Sequence, residues 1–411
     1  MTVQQLVPVM QHRPLDELLV PFIARGAVTM PFAPDAIALA LSLGRRIARD
    51  GEARKQPALQ ALAFWLRKTE LLRLQSAVQR IEGDGTVLVP RGTVFHLPPA
   101  NVDTLFVYSW ILALLAGNRN VVRLSSRGVP QASVLVRLVN EALAEHAGTP
   151  AGDGTVMLSY GHDVEITRAL SAVCDVRVIW GGDATVNAVR AVPLPPRAIE
   201  LAFPDRYSFA ALNAAAVVAL DDEALAALAD RVYIDTYWFD QLGCSSPRVL
   251  VWVGSAADCA TAGRRFVPAL HARVRARGYG VDVGTALAKR TFAFRTAIDT
   301  EVESVHWVAN ELAVIELAEL GTLVRDHPGG GLLFQVGVER LDALAPILTA
   351  RDQTLSHFGF ERAELVSFVH RLGASAFDRL VPVGSALQFD RIWDGFDLIA
   401  QFTRNVTVTG S

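Results

Sequence analysis

The chain has 411 residues, of which 51% are hydrophobic and 20% are charged, and its formal net charge is −3. This composition is typical of a folded chain with two or three domains and excludes a disordered one. The small net charge, without a dense Lys/Arg block, gives no general attraction to nucleic acid or to an anionic membrane surface.

The amino-terminal segment and the most apolar window carry no targeting or membrane signal. Residues 1–14 lack the basic and apolar regions of a secretory signal. The window 104–117 is shorter than the span of about 20 residues that a membrane helix needs, so a buried helix is expected. The three cysteines cannot all pair and lack metal-site spacing, which favours a cytoplasmic protein without a metal site.

Periodicity predicts helices first and then a strand–helix alternation. Apolar residues at helical spacing predict amphipathic helices at 35–50 and 58–81, and a glycine turn is expected at 83–85. Strands are then expected at 92–98, 120–126, 155–160 and 175–180, alternating with helices at 103–116, 130–147, 163–173 and within 181–192. This alternation indicates right-handed βαβ units and a parallel sheet.

A second apolar series follows the proline-rich segment 193–197. It contains the apolar segment 214–220, a helix at 221–235, the apolar run 248–253 and a helix at 256–278. We therefore expect one domain at 1–205 and a second at 206–384, with the segment from about 385 to 411 available to pack back on the first.

A glycine pair at 181–182 is a candidate phosphate-binding turn. The chain has neither the Gly-x-Gly-x-x-Gly pattern nor the P-loop pattern. Gly181 and Gly182 follow an expected strand and open a helix, where backbone N–H groups can meet a phosphate. The alternative is that the turn needs glycine for its backbone geometry only.

Two polar residues accompany the apolar helix near residue 104. Asn101 lies on a proline-built turn before the helix, either as a helix cap or as an amide donor to a substrate oxyanion. Arg123 ends the next expected strand, where ligands of a parallel sheet gather. Its alternative role is that of a solvated surface charge.

Cys244 is the candidate nucleophile among the three cysteines. Cys174 and Cys259 lie in apolar contexts typical of buried thiols. Cys244 is flanked by Gly243 and by polar side chains including Ser245, so its thiol is expected to be reachable. A thiolate there could attack a thioester or aldehyde carbon and form a covalent intermediate.

Four stretches, in order over residues 90–400, resemble the motifs of one family. They are GTVFHLPPANVDTLFVYSWILALLAGNRNVVRLSSR (92–127), VIWGG (178–182), WFDQLGCSSPRVLVWV (238–253), and DQTLSHFG (352–359) with GASAFDRLVPVGSALQFDRIWDGFDLI (373–399). The chain resembles the acyl-CoA reductases of bacterial bioluminescence, the fatty-acid reductase branch of the aldehyde dehydrogenase superfamily. The resemblance implies an aldehyde-dehydrogenase-like α/β fold with a modified Rossmann cofactor domain and a second α/β domain that carries the cysteine.

The resemblance also implies a reaction. Cys244 would be acylated by acyl-CoA or a carrier-bound acyl group, NADPH would reduce the acyl-cysteine, and an aldehyde would leave. Asn101 and the backbone N–H of Cys244 would form the oxyanion hole. Arg123, with Ser125 beside it, would hold the adenosine end of the cofactor, and arginine suits the 2′-phosphate of NADP.

Several further residues take roles from the resemblance. Gly181 and Gly182 would follow the pyrophosphate, and Gln353 and Thr354 would face the nicotinamide. Glu200 would be an acid catalyst or, alternatively, a salt-bridged carboxylate. His96 is expected to be the partner of a backbone group. Segment 326–331 is expected to be a flexible loop that could also cover the site. Trp393 and Asp394 are expected to be packing residues or contacts to a partner subunit.

Two other functions remain open at this stage. One is a cysteine-dependent acyltransferase or thioesterase without hydride transfer, and the other is a non-catalytic acyl-binding partner with a buried cysteine. By resemblance we also expect a homo-oligomer, and the sequence leaves open whether an acyl-activating partner protein delivers the substrate. The acyl chain itself is not specified by the sequence.

Overall fold

The computed structural model describes residues 1–23, 29–79, 85–99, 102, 104–125, 130–373 and 376–409. The chain divides into two compact units, a first unit of residues 1–205 with 389–411 and a second unit of residues 206–388. Most of the turn expected at 83–85 and the end of the strand expected at 120–126 lie outside the described residues.

The first 205 residues contain eight strands and nine helices within the described ranges. In chain order they are β1 Thr2–Val7, β2 Gln11–Pro14, α1 Leu15–Ile23, α2 Pro34–Arg49, α3 Pro57–Trp65, α4 Lys68–Gln79, β3 Thr86–Pro90, β4 Thr93–Leu97, α5 Leu105–Leu115, β5 Arg119–Leu124, α6 Pro130–Glu145, α7 Pro150–Asp153, β6 Thr155–Ser159, α8 Val164–Val173, β7 Val176–Trp180, α9 Asp183–Arg190 and β8 Ile199–Phe203. A short 3-10 helix spans Ala53–Lys55.

The main sheet of the first unit is doubly wound. Its strand order is β2-β1-β6-β5-β4-β7-β8. The five strands from β6 to β8 are parallel, and β1 and β2 add antiparallel at one edge. The chain order reverses between β4 and β7, which makes the crevice at their carboxyl ends a place where open α/β sheets bind ligands.

The apolar helix α5 is buried throughout its length. All eleven residues of Leu105–Leu115 are buried, as expected for a helix that is hydrophobic on every side. Within the described residues, no helix is long and apolar enough to cross a membrane.

The single helix expected at 58–81 is two helices, α3 and α4, and this prediction was wrong. Leu62 is buried on one helical face, whereas Leu74 and Val78 are buried about 120° and 160° around the helix axis from it at helical spacing. One straight helix would leave one of these faces in water, so a break after Trp65 lets both faces pack.

The second unit begins with β9. Its elements are β9 Tyr207–Asn213, α10 Ala214–Val218, α11 Asp222–Tyr237, β10 Val249–Val253, α12 Ala256–Ala276, α13 Val283–Asp299, β11 Val302–Ala309, β12 Leu312–Leu317, β13 Leu332–Val338, β14 Asp352–Phe358, α14 Arg362–Leu372 and β15 Arg379–Pro382. Three 3-10 helices lie at Trp238–Gln241, Leu320–Thr322 and Leu341–Ile347. The apolar segment 214–220 is mostly the short helix α10, because the side chain of Asn213 accepts from Ala216 N and caps a helix there.

The sheet of the second unit has the strand order β11-β12-β13-β10-β9-β14-β15. All its pairings are parallel except that of the edge strand β11 with β12. Strands β9 and β14 are therefore neighbours although about 145 residues separate them along the chain, and the amino-terminal end of β10 lies next to the start of β9.

The carboxyl-terminal segment completes the first unit. It contains β16 Ile392–Trp393, β17 Phe396–Asp397, α15 Leu398–Phe402 and β18 Thr403–Thr407. Strand β18 pairs antiparallel with β3. Trp393 is 3% exposed and its ring centroid lies 5.6 Å from that of Tyr108, while the ring of Phe389 stacks on Tyr108 at 5.2 Å. Trp393 therefore has the packing role that the sequence favoured.

Candidate active site

Cys244 differs from the other two cysteines in its exposure. It is half-buried, whereas Cys174 and Cys259 are buried. Burial raises the pKa of the Cys174 thiol to about 12, and burial also raises the pKa of Cys259. Both buried thiols donate to backbone carbonyl groups. Of the three cysteines, Cys244 alone combines access to solvent with side-chain polar neighbours.

The sulfur of Cys244 lies beside the amide of Gln353. The Gln353 Nε2 group donates to Cys244 Sγ at 3.6 Å. The other end of the amide is fixed, because Gln353 Oε1 accepts from Ser245 Oγ at 2.9 Å and from Thr354 Oγ1 at 3.3 Å. Gln353 and Ser245 are essentially inaccessible, at 0% and 1% exposed. This arrangement orients an N–H donor at the thiol, and such a donor favours the thiolate form.

The backbone of the cysteine turn is held by β9. Ser208 Oγ donates to the carbonyl oxygen of Cys244 at 2.7 Å and accepts from Thr354 N at 3.3 Å. Gly243 is closely packed, since an added Cβ there would lie 3.1 Å from Ser246 Oγ and 3.3 Å from a methyl group of Leu387. The turn is therefore fixed from the sheet on one side and from the segment before residue 388 on the other.

That segment is anchored by a buried carboxylate on α11. Asp235 is 0% exposed, and its two oxygens accept from Gly384 N at 2.6 Å and from Ala386 N at 2.9 Å. Burial raises the pKa of Asp235 to about 7, and the two backbone donors oppose this change. Asp235 thus connects the helix before the cysteine turn to the loop that packs on Gly243.

The chain between α11 and Cys244 adopts an unusual backbone conformation. Phe239, Asp240 and Gln241 have φ angles of 58°, 54° and 62°. A left-handed conformation costs about 1–2 kcal/mol for each residue that has a side chain. Such strain persists only where surrounding contacts fix it, and strained backbone is concentrated at functional sites.

Arg123 and Ser125 lie at the carboxyl edge of the first unit's sheet. The half-buried Arg123 donates through Nη2 to Tyr160 O at 3.2 Å and to Gly161 O at 3.4 Å, and its guanidinium lies 5.2 Å from the centre of the Tyr160 ring. Its buried Nε has no hydrogen-bond acceptor among the residues described. A cation with a spare donor at this edge can contact a phosphate group.

The glycine turn after β7 has an acidic neighbour. Asp205 Oδ2 accepts from Asp183 N at 3.1 Å, and Asp205 N donates to Asp183 Oδ1 at 3.2 Å. A Cβ on Gly182 would lie 3.1 Å from the Asp205 carboxylate, which gives this position a packing reason for glycine. The Asp205 carboxylate thus already occupies the first turn of α9, where a phosphate would bind. This arrangement favours the alternative in which the turn needs Gly181 and Gly182 for its geometry only.

His96 is a buried, uncharged part of β4. Its Nδ1 lies 2.8 Å from Ser109 Oγ and its Nε2 lies 3.0 Å from Asn120 Oδ1. The Asn120 oxygen can only accept, so Nε2 carries the hydrogen and Nδ1 accepts from Ser109. Burial lowers the pKa of His96 to about 4. These partners are side chains, so the sequence expectation of a backbone partner was wrong.

Glu200 lies between two arginines on the edge strand β8. Its Oε2 accepts from Arg177 Nε at 2.9 Å, and its Oε1 accepts from Arg190 Nε at 2.7 Å. The Arg177 side chain is only 2% exposed, so Glu200 compensates a buried charge. Glu200 is near the amino-terminal end of its strand, away from the carboxyl edge where Arg123 lies. This geometry favours the alternative in which Glu200 is a salt-bridged carboxylate and not an acid catalyst.

Two of the expected site residues are near Cys244 in the second unit, whereas Arg123, Ser125, Gly181, Gly182 and Glu200 belong to the first unit. Gln353 and Thr354 are at the cysteine turn. Asn101 lies outside the described residues.

Sequence reasoning missed Ser208 and Asp235, because a serine and an aspartate on apolar elements carry no motif signal by themselves. The described residues contain no cluster of three His, Cys, Asp or Glu side chains arranged to hold a metal ion.

Known structures share this fold. The chain superimposes on a NAD-dependent benzaldehyde dehydrogenase from Corynebacterium glutamicum with a TM-score of 0.66 and 15% identity, covering 98% of this chain and 93% of that one. It also superimposes on the Mycobacterium tuberculosis aldehyde dehydrogenase complexed with NAD+ with a TM-score of 0.66 and 13% identity, covering 97% and 91%. The α/β, aldehyde-dehydrogenase-like fold expected from the resemblance is confirmed.

The family follows from the sequence comparison. Residues 83–405, most of the chain, match the family model described as acyl-CoA reductase (LuxC), and the chain belongs to this family. A stretch of 170 residues, 41% of the chain, is 26% identical to the long-chain acyl-protein thioester reductase 2 of Photobacterium leiognathi. The match covers 34% of the length of that relative. The resemblance stated from the motifs is thereby confirmed.

Proposed function

We propose that the protein reduces an acyl thioester to an aldehyde through an acyl group carried on Cys244. The observation that carries the proposal is the half-exposed thiol with the Gln353 amide directed at its sulfur at 3.6 Å. Membership of the acyl-CoA reductase family supports the reaction. The Photobacterium relative is a long-chain acyl-protein thioester reductase, which supports a long acyl chain delivered as a protein-bound thioester. Acyl-CoA is the alternative acyl donor that we propose.

In this proposal Cys244 acts as a nucleophile. Its thiolate attacks the thioester carbonyl carbon, a new carbon–sulfur bond forms, and coenzyme A or the carrier leaves as a thiol after taking a proton. The Gln353 N–H stabilises the attacking thiolate and the same sulfur when it departs at the end of the reaction. The backbone N–H of Cys244 and Asn101 are proposed to stabilise the oxyanion that forms on the acyl oxygen.

A nicotinamide nucleotide, when bound, supplies the hydride that converts the acyl carbon to the aldehyde level. The residues of the first unit fit such a group at one position, because Arg123 has a buried Nε without an acceptor among the described residues. We propose that Arg123 and Ser125 hold the adenosine end and that the arginine selects the 2′-phosphate of NADP. The contribution of Gly181 and Gly182 stays a prediction, as does that of Thr354 toward the nicotinamide.

Glu200 enters the proposal differently from the sequence expectation. An acid catalyst must reach the reacting atoms, whereas both carboxylate oxygens of Glu200 accept hydrogen bonds from arginine side chains. We therefore propose that Glu200 stabilises the first unit and that solvent or the leaving thiol exchanges the proton. An acyl-activating partner, a homo-oligomer and a cytoplasmic location stay predictions.

The test is mass spectrometry of the intact protein after incubation with a panel of acyl-CoAs of different chain lengths and no nucleotide. We expect an added acyl mass on the wild-type protein and on Cys259→Ala, and none on Cys244→Ala. NADPH added to the acylated protein should then release the aldehyde. Acylation of Cys244→Ala equal to wild type would refute the proposal, and release of free acid without NADPH oxidation would show a thioesterase instead.

A further inference from the structure

A glycine run supports the strained segment before Cys244. Gly329, Gly330 and Gly331 have φ angles of 75°, 65° and 77° and so form a second left-handed run. It lies directly against the first, because Gly330 N donates to Asp240 O at 2.9 Å and Gly331 N donates to Gln241 Oε1 at 3.0 Å. The glycine loop therefore supports the left-handed segment through two backbone donors, and the flexibility expected for residues 326–331 stays a prediction.

The contact between the two runs leaves no space for side chains. A Cβ on Gly329 would lie 2.5 Å from Asp240 O, closer than any real contact. Gln241 is 0% exposed and extends the contact, since its Nε2 donates to Leu332 O at 2.8 Å and to Pro247 O at 3.0 Å. The position of residues 239–241 therefore depends on where the glycine run lies.

A buried lysine on α13 fixes the glycine run. Lys289 is 0% exposed, and its ammonium group donates to Gly330 O at 2.6 Å and to Asn310 O at 2.8 Å. The Lys289 stem also packs on the run, with its Cδ 3.2 Å from the place of a Cβ on Gly330. Burial lowers the pKa of Lys289 to about 8, and the charge of Glu311 opposes this effect. Its two hydrogen bonds to carbonyl oxygens nevertheless fix the position of the amine in this buried place.

His327 completes the support of the run. Its Nδ1 accepts from Gly329 N at 3.0 Å, so the ring hydrogen is on Nε2, which donates to Leu332 O at 2.8 Å. On the solvent side, Tyr279 Oη donates to Asp240 Oδ1 at 2.9 Å. The left-handed segment is therefore held on its backbone by the glycines and on its side chains by Gln241 and Tyr279.

We propose that Lys289 is a positioning residue for Cys244. It holds the glycine run of residues 329–331 against the left-handed segment of residues 239–241 and thereby sets where the sulfur lies relative to the Gln353 amide. The inference rests on the proposed function only in that it takes Cys244 to be the reacting group.

The test measures the reactivity of Cys244 directly. Lys289→Met removes the donor at nearly the same length, and Lys289→Arg keeps a cationic donor. We expect Lys289→Met to slow alkylation of Cys244 by iodoacetamide at least tenfold and to lower kcat for aldehyde formation with little change in KM. Lys289→Arg should restore both rates to within about threefold of wild type. Tyr279→Phe, a milder change at the same segment, should slow alkylation about threefold.

The matched control is Ala293→Gly, a destabilising change at a buried position on the same helix. If Ala293→Gly slows alkylation as much as Lys289→Met at equal loss of thermal stability, Lys289 is only structural and the inference is refuted. If Lys289→Met does not fold, unchanged alkylation in Tyr279→Phe refutes it. If wild-type Cys244 accepts no acyl group but Lys289→Met still slows its alkylation, the inference stands and the proposed function fails.

Discussion

Gln353 and Cys244 are 109 residues apart in sequence, and the amide nitrogen of the first donates to the sulfur of the second at 3.6 Å. The contact exists because β14, which begins at Asp352, pairs with β9, and β9 also pairs with β10, the strand after the cysteine turn. Ser208 on β9 connects all three by its bonds to Cys244 O and Thr354 N. The order of three strands thus assembles the surroundings of the thiol.

The first prediction concerns this amide. Gln353→Leu keeps the volume but removes the donor, so the thiolate loses a hydrogen bond. We expect alkylation of Cys244 in the variant to be about tenfold slower than in wild type at pH 7. At pH 10 the two rates should be nearly equal, because the high pH ionises the thiol without help from the amide. The measurement is the alkylation rate across this pH range. Ser356→Ala, farther along the same strand, is the control, and a rate reduced equally at every pH would contradict the role of the amide.

The second prediction concerns Glu200. Glu200→Gln leaves the charge of Arg177, which is 2% exposed, without its partner carboxylate. We expect the free energy of unfolding to fall by about 3 kcal/mol while kcat per folded molecule stays within twofold of wild type. Urea unfolding and steady-state kinetics check the two parts. A stable variant that has lost its activity would restore Glu200 as an acid catalyst.

The third prediction concerns the choice of nucleotide. Arg123→Glu replaces the cation at the carboxyl edge of the first unit's sheet by an anion. We expect KM to rise by roughly tenfold or more for NADPH and much less for NADH, because only NADPH carries the 2′-phosphate. Arg168→Glu, a charge reversal at an exposed residue of α8, is the control. An equal rise for both nucleotides would remove the reason for preferring NADP.

The fourth prediction concerns pH and Asp235. The pKa of Asp235 is about 7, against an ordinary value of 3.8, so between pH 4 and 7 the folded protein keeps a proton that the unfolded chain has released. Raising the pH through this window therefore lowers the free energy of unfolding of the wild type. We expect it to fall by up to about 4 kcal/mol relative to that of Asp235→Asn, which cannot titrate at this position. Urea unfolding of both proteins at pH 4.5, 6 and 7.5 checks this. A difference that stays constant with pH would contradict it.

Local patterns predicted much of the first unit. Strands β4 to β7 and the helices between them follow from apolar runs bounded by glycine and proline, because period and length are local properties of a chain. The same reasoning failed at 58–81, where one periodic segment contains two buried faces. It also gave no sign of residues 239–241, since neither Phe239 nor Gln241 is a residue that favours positive φ.

The sequence by itself determined that the chain alternates strands and helices, that it carries the motifs of its family, and that Cys244 is the cysteine in a polar context. Only the tertiary structure decided what lies around that thiol. Strand order brings Gln353 and Ser208 to the cysteine turn, and a buried lysine on α13 holds the glycine run that supports it. These contacts join residues between 36 and 109 positions apart, and sequence periodicity, which reports neighbours within a few residues, contains no information about them.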